Sequence, residues 1–188
     1  MGLLEEADLA LVFVRRRALP VKQMRFLREY VGRGKPLLGL RTASHAFDAR
    51  GAGPKGFMEW KDFDPEGLGG NYHGHYRGGP ETTVKAAAGA GGHPILAGVT
   101  LPFTSKGSLY KTGPLVKGTR LLLTGSIPGE ESEPVAWTHR FGNSRVFYSS
   151  LGYPADFKES SFVKMLTNAI FWGLERPVEK VRIAKFRP

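Results

Sequence analysis

The chain has 188 residues, of which 41% are hydrophobic and 23% are charged, and this is the size and composition of one globular domain. The formal net charge of +10 comes from dispersed cations without an RNA-binding signature, so we expect a basic solvated surface and no nucleic-acid partner. The absence of Cys excludes disulfides, thiolate metal sites and a cysteine nucleophile, and no apolar run approaches the roughly 18 residues of a membrane span.

The N-terminal part of the chain predicts a strand, a helix and a second strand. It starts with acidic residues where a signal peptide has basic ones, so we expect a cytoplasmic protein. The apolar run Ala7–Val14 is typical of a strand in a parallel sheet. After Pro20, apolar residues recur at helical spacing until Gly32 ends the helix. Pro36–Leu40 is a second strand, which completes a βαβ unit whose ligand site lies beyond the carboxyl ends of its strands.

The rest of the chain predicts further strands and one long helix. Residues 48 to 80 indicate a long structured loop with one helical turn, and residues 93 to 98 indicate a turn. The amphipathic pattern of Ser160–Leu174 predicts a helix. Four more strands, of which the last three suggest antiparallel additions to the sheet, are predicted at Thr82–Ala87, Arg120–Thr124, Pro134–Thr138 and Arg145–Ser150.

Polar side chains follow the second strand directly, at Arg41, Thr42, Ser44 and His45. A strand that enters a tight polar turn and then a helix has the form of a nucleophile elbow. A Ser nucleophile needs an adjacent base, but neighbours in sequence usually point apart. We therefore favour His45 as a polar pocket residue over a Ser44–His45 dyad, and a structural imidazole that caps the loop is the alternative.

A second polar group lies in the glycine-rich residues 69–76. In an extended segment, positions two apart face the same side, so His73 and His75 can point at one ligand. We predict that they line a pocket or act as acid–base groups, and satisfied structural histidines are the alternative. Two His are an incomplete metal site, so we predict no cofactor, with a divalent ion on this pair as the weaker alternative. Tyr110 and Tyr153 are further candidates, because hydroxylated aromatic rings around a cleft suit a sugar.

Short motifs recur in a fixed order along the chain: Leu38-Gly39-Leu40, Gly69 to His75, His93-Pro94, Ser108-Leu109-Tyr110, Pro134 to Trp137, Gly142, Arg145 to Tyr148, Leu151-Gly152 and Asn168 to Trp172. Their order and spacing resemble the ThuA-like (trehalose utilisation) proteins, a branch of the class I glutamine amidotransferase-like fold. The resemblance covers about residues 5 to 175. The most similar branch, found in bacteria, reads GIRTASHAF at the elbow.

The resemblance implies an α/β fold, a flavodoxin-like three-layer sandwich with a mostly parallel sheet and antiparallel additions. It implies a domain over residues 1–176, followed by a basic tail over 177–188. The implied pocket lies between the elbow, the glycine-rich loop and the loop after the last strand. Arg41 takes the place of the amidotransferases' nucleophilic Cys, so glutamine hydrolysis through a thioester is excluded. His75 matches the terminal His of the family's glycine-rich motif, whereas Tyr153 stands where many relatives have His.

The resemblance also implies a function: the protein acts on or binds a small carbohydrate, a disaccharide or keto-sugar. His75 and His45 would then act as acid and base, Arg41 would anchor negative charge and Tyr110 would orient the ligand. Two alternatives remain open. One is a ligand-binding or interaction module without turnover, and the other is an ester or lactone hydrolase that uses Ser44 or a metal-bound water.

The family's usual first strand and helix have no counterpart before Ala7, since only six residues precede it. If nothing replaces that strand, Ala7–Val14 becomes an exposed apolar edge, which favours pairing with another chain. We therefore predict either a homodimer through this edge or a shortened variant of the family.

Overall fold

The computed structural model describes residues 3–51, 53–78 and 80–178. Most of the predicted basic tail, from residue 179 onward, lies outside the described residues. The α-helices are α1 (Leu3–Glu6), α2 (Val21–Gly32) and α3 (Ser160–Gly173). The strands are β1 (Ala10–Val12), β2 (Leu19–Pro20), β3 (Leu37–Leu40), β4 (Phe57–Met58), β5 (Gly74–His75), β6 (Thr82–Ala86), β7 (Phe103–Ser105), β8 (Tyr110–Lys111), β9 (Arg120–Ser126), β10 (Glu133–Phe141) and β11 (Ser144–Ser149).

Seven strands form one mixed sheet in the order β1-β3-β11-β10-β9-β6-β7. The pairs β1/β3 and β3/β11 are parallel, and the four other pairs are antiparallel. Five of the seven strands nevertheless run in the same direction, because only β10 and β6 are reversed. The predicted parallel core is therefore present, and the antiparallel part is more extensive than the sequence suggested.

The two long helices cover opposite faces of the sheet. Residues alternate along a strand, so Leu37 packs with the α2 residues Met24 and Leu27, whereas Leu38 packs with the α3 residues Phe162 and Met165. All six side chains are buried. This alternation explains why the strand reads as a continuous apolar run, as buried parallel strands do.

The strands and helices expected from periodicity are confirmed within a few residues. The short strands β7 and β8 and the helix α1 were not predicted. The loop expected over residues 48–80 contains β4, β5 and one six-residue π-helix, Phe63–Leu68. This π-helix packs beneath the elbow, where Leu68 lies against Gly39 of β3.

Strand β1 forms one edge of the main sheet, as the sequence predicted for this segment. Leu11 and Phe13 are each 45% exposed along this edge. Pairing with a second chain there stays a prediction. Among the described residues, no helix combines the length and the apolar character that crossing a membrane requires.

Candidate functional site

The elbow after β3 has the backbone conformation of a sharp, strained turn. Arg41 has φ of 44°, in the left-handed region that L residues with a side chain seldom occupy. A five-residue 3₁₀ helix, Arg41–His45, follows immediately. The predicted elbow is therefore present at Arg41, which takes the special position of the turn.

The guanidinium of Arg41 ties together three segments at the carboxyl edge of the sheet. It donates to the carbonyl oxygen of Ser150 at 3.2 Å and to the Ser108 hydroxyl at 3.2 Å. It also lies 4.8 Å from the centre of the Tyr110 ring and 5.8 Å from that of Tyr153. Part of its hydrogen-bonding capacity is thus used within the protein.

Ser44 and His45 form a contact that the sequence argument did not expect. The Ser44 hydroxyl lies 3.2 Å from His45 Nδ1 and 3.3 Å from the carbonyl oxygen of Arg41, and both side chains are buried. The expectation that these neighbours point apart is wrong. Adjacent side chains diverge by only about 120° in a 3₁₀ helix, whereas they point to opposite faces in a strand.

His45 and His75 converge on the same pair of tyrosines. The His45 ring stacks on Tyr72 with centroids 4.6 Å apart, and Tyr72 contacts Tyr110 at 4.8 Å. His75 lies 5.9 Å from Tyr110, and its Nδ1 is 3.3 Å from the Tyr72 hydroxyl. Short strands β5 and β8 pair His75 with Tyr110 directly, which fixes this aromatic cluster of four rings.

A cavity of about 520 Å³ opens beside the aromatic cluster. Four of the residues proposed from sequence line it, namely Ser44, His45, His73 and His75. Its other lining residues are Arg16, Asp48, Arg50, Lys61, Asp64, Pro65, Asn71, Tyr72, Gly74 and Arg77. The remaining candidates, Arg41, Thr42, Tyr110 and Tyr153, are not among the lining residues.

Asp64 is the acid–base candidate that sequence reasoning missed. It is 5% exposed, and its Oδ2 accepts a hydrogen bond from the backbone N–H of Tyr72 at 2.6 Å, while Oδ1 has no partner among the described residues. Burial raises the pKa of Asp64 to about 7. Its two protonation states are therefore close in free energy at neutral pH, which suits proton transfer.

The pKa of His45 is shifted downward, whereas that of Asp64 is shifted upward. Burial lowers the pKa of His45 to about 4, and the positive charges of Arg16, Arg15 and Arg50 add to the shift. The imidazole is neutral at pH 7, so it does not act as a general acid there. As a base it is weakened, since basicity falls with the pKa.

His73 and His75 lie at the cavity on an extended segment, both exposed. His73 Nδ1 is 2.8 Å from the carbonyl oxygen of Asn71. Within residues 3–51, 53–78 and 80–178, no group of three His, Asp or Glu side chains has the arrangement of a metal site. Within these residues, none of the suggested third ligands His45, Asp48 and Glu59 completes a metal site with this pair.

Glycines at positions 69 and 70 serve internal packing. A Cβ on Gly70 would lie 2.6 Å from Asp64 Oδ1 and 2.9 Å from the Trp137 ring. Gly69 has φ of 78° and packs against His139 and Thr119. Trp137 is itself fully buried and donates to the carbonyl oxygen of Leu68 at 2.7 Å. The glycine pair therefore holds the loop against Asp64.

Asp156 is a second residue that the sequence did not single out. It is buried and accepts hydrogen bonds from the Ser105 hydroxyl and from the backbone N–H groups of Gly152 and Tyr153, at 2.8 to 2.9 Å. It thus fixes the loop after β11 that carries Tyr153. No short sequence motif indicates such a residue, because Ser105 is far away in the sequence and the other two partners are backbone N–H groups.

The family model described as ThuA, trehalose utilisation, matches residues 3–173. A ThuA-like protein from Bacteroides uniformis has a similar structure, with a TM-score of 0.70 and 16% identity over 95% of this chain and 76% of its own. A ThuA-like protein from Parabacteroides merdae has a TM-score of 0.67 and 19% identity over 98% and 76%. A cytoplasmic protein from Salmonella typhimurium has a TM-score of 0.65 and 10% identity over 91% and 73%. No curated protein sequence matches this chain.

Proposed function

The chain belongs to the ThuA family, and from this premise we propose that its cavity binds a small carbohydrate, a disaccharide or keto-sugar, without glutaminase activity. The finer fold assignment that goes with it is a flavodoxin-like, glutamine amidotransferase-like three-layer sandwich. We also propose a cytoplasmic location, and a structural neighbour from Salmonella typhimurium is described as cytoplasmic.

The aromatic cluster of His45, Tyr72, Tyr110 and His75 is the observation that carries this proposal. Three of its rings, those of His45, Tyr72 and His75, line a polar cavity of about 520 Å³, and the buried Tyr110 ring contacts all three. That volume is within the usual range of about 300–1,000 Å³ for small-molecule sites. A sugar needs such a combination, because its C–H faces stack on rings while its hydroxyl groups require hydrogen-bond partners.

The pKa values of the groups at the cavity change the acid–base roles that the sequence suggested for them. Asp64, with its pKa near 7, and His75, which reaches the cavity, are the proposed proton donors and acceptors. His45 is kept neutral by its depressed pKa and serves as a hydrogen-bonding and stacking surface. The elbow holds Arg41 instead of a thiol, which removes the thioester chemistry of the glutaminases.

Titration calorimetry with trehalose, other disaccharides and keto-sugars tests the proposal. We expect saturable binding that His75→Ala weakens about two- to tenfold, because a typical hydrogen bond contributes about 0.5–1.5 kcal/mol. His93→Asn is the matched control, since His93 lies against Trp172 away from the cavity and Asn keeps an acceptor for the Ile95 N–H. Unchanged binding by the His75 variant contradicts its place in the site.

An ester or lactone hydrolase is a second candidate, favoured by the 3.2 Å contact between Ser44 and His45 Nδ1. A panel of esters and lactones, run on the parent protein and on Ser44→Ala, tests it. Turnover that the substitution abolishes supports the serine mechanism. A metal-bound water predicts turnover that survives Ser44→Ala and is lost on chelation, and sugar binding without product on any substrate supports the ligand-binding module.

A further inference from the structure

Basic side chains outnumber acidic ones around the cavity. Four Arg and Lys side chains and two carboxylates line it, in addition to three histidines. The basic ones are Arg16, Arg50, Lys61 and Arg77, and the acidic ones are Asp48 and Asp64. A cavity that only bound a neutral sugar would not require this excess of positive charge. The ion pairs within the protein determine which of these cations remain available to a ligand.

Two of the four cations are compensated by the protein. Arg16 pairs with Asp48 at 2.9 Å, and Lys61 lies 3.6 Å from Glu59. Arg50 and Arg77 form no ion pair with any carboxylate in the described ranges of the chain. They therefore face the cavity with unneutralised charge, at positions where an anion could supply the missing partner.

The second acidic residue does little to neutralise them. Burial raises the pKa of Asp64 to about 7, so it carries only part of a negative charge at neutral pH. The pKa of His45 is lowered to about 4, mainly by burial and further by the positive charges of Arg16, Arg15 and Arg50. The contribution of these arginines also indicates an excess of positive charge at the cavity. The site therefore has a positive local potential.

Two of these arginines also have an unusual backbone. Arg16 has φ of 49° and Arg50 has φ of 55°, and a non-glycine residue in this region costs roughly 1–2 kcal/mol. The Arg16 turn is held beside the elbow by a hydrogen bond from its N–H to the carbonyl oxygen of His45 at 3.1 Å. Strain kept at cation-bearing positions around one cavity is the pattern expected of a binding site.

We propose that the ligand of this cavity is an anionic sugar, one that carries a phosphate or a carboxylate group. The planar guanidinium fork matches the oxygen geometry of both groups, which is why arginine recognises them so often. The volume of about 520 Å³ suits a molecule of the size of one or two sugar rings. The inference rests on the proposed carbohydrate function and narrows its substrate class.

Titration calorimetry with glucose 6-phosphate, glucuronate, glucose and inorganic phosphate tests this inference at fixed ionic strength. We expect at least one anionic sugar to bind about tenfold or more tightly than glucose, since a charged hydrogen bond contributes about 1.5–3 kcal/mol. The affinities of the two anionic sugars show whether the cavity prefers a phosphate or a carboxylate group. Their affinities should also fall as salt is raised beyond about 0.15 M, whereas that of glucose should not.

Arg50→Gln and Arg77→Gln should each weaken the anionic sugar about five- to tenfold and weaken glucose binding less, so that the preference for the anionic sugar decreases. Arg25→Gln, on the exposed side of α2, removes the same charge outside the cavity and should leave both unchanged. All three positions are exposed, so the variants should fold, and their melting temperatures verify it.

The possible results separate this inference from the proposed function. Equal affinity for glucose and for the anionic sugars overturns the inference while the carbohydrate function stands. Phosphate that binds as tightly as glucose 6-phosphate, with no binding of glucose or glucuronate, shows an anion site that does not recognise the sugar and overturns the inference of an anionic sugar. Absence of binding by all four probes overturns the inference, whereas the carbohydrate function is decided by the titrations with disaccharides and keto-sugars.

Discussion

The substitution Asp64→Asn should change how the stability of the protein depends on pH. Asp64 has a pKa of about 7 in the folded protein because burial disfavours its charged form, against an ordinary value of 3.8. Between these two values the unfolded chain has released the proton and the folded protein still holds it. Raising the pH through this window therefore destabilises the wild-type fold, and the Asn variant lacks this contribution.

The magnitude follows from the width of the window. The slope of the wild-type contribution is about −1.4 kcal/mol per pH unit, and over the window it sums to about 4 kcal/mol. The free energy of unfolding of Asp64→Asn, minus that of the wild type, should therefore rise by about 4 kcal/mol from pH 4 to pH 7 and then level off. Contributions from other groups, His45 and His93 included, cancel in this difference.

Urea denaturation of both proteins at several pH values between 4 and 8 measures the difference. Asn can keep an oxygen for the Tyr72 N–H, so the variant retains the main contact of the carboxylate. Asp62→Asn, which removes an exposed carboxylate from the same segment, controls for the loss of a charge as such. A difference that stays constant with pH, or that falls as pH rises, would refute the reasoning about Asp64.

Further predictions concern close packing and the exposed edge. Gly70→Ala should lower the free energy of unfolding, measured by urea denaturation, by about 1–3 kcal/mol, because its Cβ would meet two buried groups. Gly91→Ala is the control: a Cβ there would meet no atom within 4 Å, so the free energy of unfolding should change by less than about 0.5 kcal/mol. Gly107→Ala should cost a similar amount, about 1–3 kcal/mol, and speed hydrogen exchange nearby, since its Cβ would lie 2.9 Å from the Tyr153 Cβ as well as 2.7 Å from the Arg41 guanidinium. If the β1 edge pairs two copies, sedimentation velocity should show a dimer that Leu11→Lys dissociates; a monomeric wild type at micromolar concentration contradicts this pairing.

The sequence predicted those parts of the fold whose signal repeats over several residues. The helix α2 shows two full turns of apolar periodicity, and β3 is one uninterrupted apolar run, so both were found within a residue or two. Strands β7 and β8 have three and two residues, less than is needed to establish alternation. Their existence depends on pairing partners that a local pattern does not reveal.

The candidate site was likewise predicted only where a local sequence pattern marks its residues. The turn after an apolar strand and the repeated imidazoles predicted that His45 and His75 would lie at the same edge, and both contact Tyr72. Asp64 was missed because nothing local marks a carboxylate that becomes buried. Its depth is set by the π-helix and by Trp137 from a distant strand. The lining cations Arg50 and Arg77 were missed because they are 27 positions apart in the sequence and no local pattern marks side chains that line one cavity.

Arg41 shows how an elbow can be retained without a nucleophile. A strained backbone at φ of 44° costs roughly 1–2 kcal/mol and would be expected to relax if the turn had lost its purpose. Here the same conformation carries a guanidinium that bonds Ser108 and Ser150 and packs on Tyr110, so the turn now supports the wall of the cavity. Arg41 has no hydroxyl or thiol group, so the proton transfer proposed for the cavity is assigned to a neighbouring group, Asp64, whose pKa burial raises to about 7.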